Sequence, residues 1–285
     1  MKIVVLGAAG QLGRQLGKVL RGDVVALTRA DADLTRPAAL RQALEQLHPD
    51  VVVNAAAYTQ VDHAESDPGE AFAVNALALR DLATFCRHAD CTLIHFSTDY
   101  VFGLDALRAS PYSETDPAGP INVYGNSKLA GEYFVQCICP KHFILRTCGL
   151  YGPLQAGSAH TNFVETMLRK AEEGNLLRVV DDQIATPTSV VDLANATLGL
   201  LDSRAFGLFH VTNAGSCTWH EFAQAIFEFV KKPVTLVPIE SKEFAAPARR
   251  PRYSVLSNAR WIDNGYSPLR SWQEALEGYL AERGP

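Results

Sequence analysis

No apolar run in the 285 residues approaches the ~18 that a membrane-crossing helix requires. Residues 1–7 enter an apolar strand pattern directly, without the charged, apolar and small-residue succession of an export leader, so the expected location is cytoplasmic. Positive charge is not in excess. The 26 Lys and Arg stand against 31 Asp and Glu, and a net charge of −5 argues against a nucleic-acid partner or an anionic membrane surface. The six cysteines (Cys86, Cys91, Cys137, Cys139, Cys148, Cys217) include no C-x-x-C pair, and in a chain of this length they read as reduced packing residues. Cys137, Cys139 and His142 are close in sequence, but no fourth ligand follows at recognisable spacing, so no metal is expected. Internal repeats and low-complexity segments are missing as well.

What is present is the composition of an ordinary globular protein, 47% hydrophobic and 20% charged, long enough for one large α/β domain or two unequal ones. Short apolar runs at 3–6, 24–27, 51–53, 93–96 and 143–145 are bounded by Gly, Asp, Pro or Ser. Between them, segments such as 37–47 and 70–87 carry apolar residues three and four apart. Repeated β-α-β units with wholly apolar strands predict a doubly wound parallel sheet with helices on both faces and a crevice at the strands' carboxyl ends. After residue 151 the pattern loosens, with glycine, proline and polar clusters at 152–161 and 181–189. Helical patterns near 162–173, 189–202 and 219–230 and a strand at 208–211 follow. The layout is therefore a Rossmann-type NAD(P)-binding domain over 1–150 and a smaller, mainly substrate-binding lobe over 151–285, some of whose segments return to the main sheet.

The first strand runs into Gly7-Ala8-Ala9-Gly10-Gln11-Leu12-Gly13 and a helical pattern follows at once. Glycines there let the backbone approach a pyrophosphate seated on the helix N-terminus; close packing of helix on strand is the competing use of the same residues. At the end of the second strand stands Thr28-Arg29, where an NAD-preferring site usually has an acid and an arginine accommodates a 2′-phosphate. This leans towards NADPH, with NADH possible; a solvated turn arginine explains the residue nearly as well. Asp33-Leu34 follows, within reach of an adenine amino group. The third strand opens onto Ala55-Ala56-Ala57-Tyr58-Thr59, small residues that leave room for a cofactor, and then Asp62 and Glu65 in a loop. The fourth delivers Ser97-Thr98-Asp99, and either hydroxyl is placed to bond a substrate carbonyl. Finally, Tyr124 and Lys128 lie four apart in a helix predicted to begin near residues 120–122, so they share a face. A nearby cation lowers a phenol's pKa from about 10 towards useful acid–base work.

Together these motifs resemble the extended short-chain dehydrogenase/reductase family. Further stretches are similar to its dTDP-4-dehydrorhamnose reductase group: Val-Asn-Ala-Ala-Ala-Tyr-Thr at 53–59, Val-Asp-His-Ala-Glu at 61–65, Ser-Thr-Asp-Tyr-Val-Phe at 97–102 and Asn-Val-Tyr-Gly-Asn-Ser-Lys-Leu-Ala-Gly-Glu at 122–132. So are Leu-Arg-Thr at 145–147, Asp182-Gln183, Pro187-Thr188, Thr218-Trp219-His220 and Arg250-Pro251. The resemblance implies a homodimeric enzyme that reduces the 4-keto group of dTDP-4-dehydro-L-rhamnose to give dTDP-L-rhamnose. Thr98, Tyr124 and Lys128 would form the catalytic set, with Tyr124 the proton donor, Thr98 holding the carbonyl oxygen, and Lys128 binding the nicotinamide ribose and depressing the tyrosine pKa. Gly7, Gly10, Gln11, Leu12, Arg29, Asp33, Leu34, Ala55, Ala56, Ala57, Thr59, Asn75, Ser97 and the 147–149 turn would line the cofactor, and Asp62, Asp99 and Gly149 the sugar. Gly149 stands where the group often has tryptophan, which predicts a roomier sugar pocket or a lost packing contact and leaves the sugar's identity and its C4 configuration open. A related 4-ketoreductase, an epimerase or dehydratase on the same scaffold, and a non-catalytic NADP-binding regulatory subunit are the other readings.

Overall fold

The computed structural model describes residues 1–155, 161–174 and 176–283; the polar cluster expected at 152–161 falls partly outside them. The chain winds into a six-stranded sheet made of β1 (Lys2–Leu6), β2 (Asp23–Leu27), β3 (Val51–Asn54), β4 (Thr92–Thr98), β5 (His142–Thr147) and β6 (Gly207–His210). Spatial order is β6-β5-β4-β3-β1-β2. Every pairing is parallel. The chain therefore reverses direction across the sheet between β1 and β3, and the strands' carboxyl ends open a crevice at that point.

The continuous apolar runs are used on both faces. Ile3, Val5 and Val53 pack with Leu12 and Leu16 of α1 (Gln11–Val19), while Val4, Leu6 and Val52 pack with Leu40 and Leu44 of α2 (Pro37–Leu47) and Leu79 and Leu82 of α3 (Ala78–His88). Two-residue alternation sends neighbours to opposite faces, so a strand buried twice needs apolar residues throughout. Pro37 starts α2 where its missing N–H costs nothing. The helix carrying Tyr124 and Lys128 is α4 (Val123–Ile138), three residues after Pro120, because Asn122 caps it: its Oδ1 accepts from Gly125 N at 2.7 Å. The single helix expected over 70–87 is instead a short α-turn at Pro68–Phe72, a π-helical turn at Ala73–Leu77 and then α3.

Beyond β5 the chain forms a second core, in which Val164 and Met167 of the helix Phe163–Glu173, Phe222 and Ile226 of Trp219–Phe229, and Trp272 and Leu276 of Trp272–Arg283 are buried together. A parallel pair, Leu176–Val180 with Thr235–Ile239, covers it. Between these pieces, α5 (Val190–Leu198) packs Val190, Leu193 and Ala194 into the α1 side of the main core, and β6 completes the sheet. Among the described residues no helix is long and apolar enough to cross a membrane.

Candidate active site

The glycine turn sits between β1 and α1, against the carboxyl end of β3. Gly7 has φ +77, and a Cβ there would lie 2.6 Å from Ala56 N; a Cβ on Gly13 would lie 2.2 Å from Gly7 O. No other residue allows both approaches. Ala55, Ala56, Ala57 and Thr59 line the same edge without being fully buried. Gln11 has its side chain elsewhere, donating to Leu150 O at 3.3 Å and accepting from Asn162 Nδ2 at 2.8 Å, so it ties this turn to the second lobe. Leu12 and Leu34 point into the two cores, which leaves only their backbone to meet a cofactor. At the end of β2, Arg29 is largely exposed and pairs with Asp33 at 3.3 Å. Asp33 is also bonded by the Thr35 N–H and hydroxyl, which holds its carboxyl below the usual range.

Two further cofactor expectations meet occupied side chains. Asn75 is fully buried. Its amide accepts from Tyr58 N at 3.0 Å and donates to Tyr58 O and Ser127 Oγ, both at 3.0 Å, stapling the loop after β3 to α4. Ser97 donates to Glu132 instead of facing the crevice. The reason is the buried pair behind it, since Glu132 receives Arg146 through Nε at 2.9 Å and Nη2 at 2.6 Å and has no exposed surface. A charge pair out of water must satisfy every lone pair it can, and Ser97 supplies a donor.

Thr98 ends β4, and Tyr124 on the first turn of α4 is half-buried beside it. Burial raises the phenol's pKa, and the neighbouring Thr98 hydroxyl works against that rise. Thr98 Oγ1 donates a hydrogen bond to Asp99 Oδ1 and accepts one from Tyr100 N, both at 3.1 Å. Asp99 also accepts from Cys148 Sγ at 3.1 Å and Ser254 Oγ at 2.6 Å, is 2% exposed, and has its carboxyl pKa pushed up by burial. Expected to face the sugar, Asp99 in fact orients Thr98 from below. Lys128 is also corrected in one respect. Its Nζ donates to Phe96 O at 2.6 Å and lies 3.3 Å from His95 Nε2, so its contacts go to β4 and not to the phenol.

Asp62 is likewise committed, taking both Arg250 Nη atoms at 3.0 and 2.8 Å and Ala248 N at 3.1 Å. That fork lowers its pKa and ties the loop around 248–250 to the segment that follows β3. The roomier pocket predicted at Gly149 is corrected too. Trp219 fills the space, since a Cβ at 149 (φ +51) would stand 3.0 Å from Trp219 Cη2, and Phe163 braces the indole at a centroid distance of 4.8 Å. Gly149→Ala is therefore expected to displace Trp219 and raise the sugar KM several-fold with kcat little changed, read by steady-state kinetics. His95 carries no signal in the sequence, while Arg146, Trp219 and Arg250 stand there only within stretches that carry the family resemblance, with no site role attached.

Arg146 also sets the state of His210 on β6. Burial first, then the Arg146 guanidinium, push that imidazole down to about 3, and its Nδ1 donates to Tyr112 O at 3.0 Å. The pKa is lowered relative to an unfolded value near 6.5, so the unfolded chain binds the extra proton as pH falls between the two. The stability from a neutral His210 is present above about 6.5 and is lost towards 3, at up to about 1.4 kcal/mol per pH unit. His210→Gln should flatten that acid slope in denaturant unfolding measured at pH 7 and pH 5.

A doubly wound sheet with a glycine turn at its switch point and a Thr–Tyr–Lys set across the crevice defines a nicotinamide-dependent reductase architecture. The chain belongs to the family described as the RmlD substrate binding domain, whose model matches residues 1–284. It is similar to dTDP-4-dehydrorhamnose reductase of Mycolicibacterium smegmatis, with 41% identity over 98% of this chain and 85% of that protein. It is also similar to a probable dTDP-4,6-dihydroxy-2-methyloxan-3-one 4-ketoreductase of Streptomyces antibioticus, with 42% identity over 97% of this chain and 93% of that one. Among solved structures, dTDP-4-dehydrorhamnose reductase of Bacillus anthracis in complex with NADP superimposes with a TM-score of 0.93 at 37% identity, covering 99% of each chain.

Proposed function

We propose that the chain uses NADPH to reduce the 4-keto group of a dTDP-linked 6-deoxysugar, dTDP-4-dehydro-L-rhamnose, to dTDP-L-rhamnose. The observation that carries this is the placement of Tyr124 beside Thr98, itself bonded to Asp99, at the carboxyl edge of a central strand, in a protein about 40% identical to such reductases along nearly all its length. Bound there, the nicotinamide would supply hydride to C4. Tyr124 gives its proton to the forming alkoxide, with Thr98, held by Asp99, beside it. The glycine turn and the N-terminus of α1 would receive the pyrophosphate, and Arg29 a 2′-phosphate. Trp219 offers an apolar ring to the sugar's methyl face. Residues 1–150 would bind mainly the cofactor and 151–285 mainly the sugar nucleotide, in a cytoplasmic homodimer.

The test is NADPH oxidation followed at 340 nm with dTDP-4-dehydro-L-rhamnose, NADH run in parallel and the product sugar identified. Turnover giving the rhamnose derivative supports the reading. Tight NADPH binding without turnover of this substrate, but with turnover of another dTDP-linked keto-sugar, would move the specificity to the second Streptomyces-like chemistry.

A further inference from the structure

We propose that His95, paired with Asn54, is a positioning residue that governs the charge of Lys128, the imidazole's tautomer and the lysine's protonation changing together. This rests on Lys128 serving the reduction proposed above.

Asn54 and His95 are cross-strand partners of β3 and β4. They and Lys128 are exposed by 1%, 0% and 1%, so water cannot repair a mismatch among them. His95 Nδ1 lies 3.2 Å from Asn54 Nδ2, and Nε2 lies 3.3 Å from Lys128 Nζ. Both neighbours are donors. Burial and the lysine's charge keep the ring neutral, and a neutral imidazole has one N–H and one lone pair. It can accept from only one of them.

The backbone decides which. Ala56 N donates to Asn54 Oδ1 at 3.2 Å, which turns the amide's NH₂ towards His95. Nδ1 then accepts, and the proton on Nε2 points at Nζ. An ammonium has no lone pair to receive it; a neutral amine does, and still donates to Phe96 O at 2.6 Å. To suit the ammonium, the ring must move its proton to Nδ1 and the amide must turn over, which sets its NH₂ against the Ala56 N–H. The array is complete only with the amine, so the pair works against the lysine's charge.

The other groups around Nζ do less. Tyr124 stands one turn before it on α4, and Glu132 one turn after favours the ammonium but is engaged by Arg146 of β5 and Ser97 of β4. Asp99 is taken up by Thr98, Cys148 and Ser254. Burial outweighs Glu132 and brings Lys128 down to about 8, inside the range where an enzyme works and where this switch can act.

The test uses ligand-free wild-type protein labelled with ¹⁵N in its histidines and lysines, titrated from below to above the Lys128 transition. The expected result is a His95 ring that carries its proton on Nδ1 while Lys128 is an ammonium and on Nε2 once it is an amine, both signals changing at one pH. A His95 tautomer that stays the same through the lysine transition overturns the proposal, whatever any variant does. In Asn54→Asp the new carboxylate accepts from Nδ1–H and leaves Nε2 as acceptor for the ammonium. The ring should then hold the Nδ1–H form throughout, and the alkaline limb of kcat should move up by about one pH unit or more. An unmoved limb in a folded, active Asn54→Asp enzyme also counts against it. The ligand-free titration needs no substrate, so a wrong assignment of the sugar would leave its outcome intact.

Discussion

Tyr124→Phe is expected to lower kcat for keto-sugar reduction by about 10²- to 10⁴-fold, the usual worth of a positioned general acid. The loss should be confined to chemistry, because the phenol is half-buried at the crevice while its ring packs edge-on against Tyr100 at 6.0 Å, a contact phenylalanine keeps. NADPH affinity, measured by fluorescence titration, should change little. Without the phenol hydroxyl Thr98 still donates to Asp99 and accepts from Tyr100 N, so the strand end keeps its place. Full turnover in Tyr124→Phe would show that another group gives the proton. A protein acting only as a nucleotide-binding regulator would have no turnover to lose, so the same variant separates that reading from the enzyme.

The second large effect is on stability. Arg146→Met should cost about 3–5 kcal/mol, because Glu132 would be left charged, without exposed surface and without its cation. Equilibrium unfolding in urea gives the loss, and Glu132→Gln/Arg146→Met should recover much of it, since replacing both charges removes the stranded one. The pair joins β5 to α4 and, through Ser97, to the end of β4, so a shift there moves Thr98 relative to Tyr124. The single variant should therefore lose kcat as well as stability. The Arg146 guanidinium also lies 5.1 Å over the Phe102 ring, a contact methionine keeps only as dispersion. If Arg146→Met unfolds at wild-type urea concentration, the ion pair is not what holds these three elements together.

Much of this arrangement was legible in the linear chain. Runs such as 3–6 and 51–53 are apolar at every position, which only a strand buried on both faces requires, and the sheet follows from them. Gly7 and Gly13 marked a turn where backbone meets backbone, and a four-residue spacing put Tyr124 and Lys128 on one face of a helix. These are local signals, set by the period of a strand, the period of a helix and the sterics of a missing Cβ.

The polar side chains around the crevice were a different matter, because their partners lie far along the chain. Asp62 is answered by Arg250, 188 residues later, and Asp99 by Ser254, 155 residues later. Nothing beside them in sequence distinguishes a carboxylate that meets substrate from one that braces a loop. Trp219 reaches Gly149 only because the second core delivers the start of its helix to that turn. By itself the sequence determined the sheet, the glycine turn and the Tyr–Lys face, since each needs only neighbouring residues to specify it. The tertiary structure alone decided which charges are spent on one another, which ring fills the space at residue 149, and that His95 stands between Asn54 and Lys128. Those outcomes depend on burial and on hydrogen-bond partners that exist only when distant strands and loops have come together.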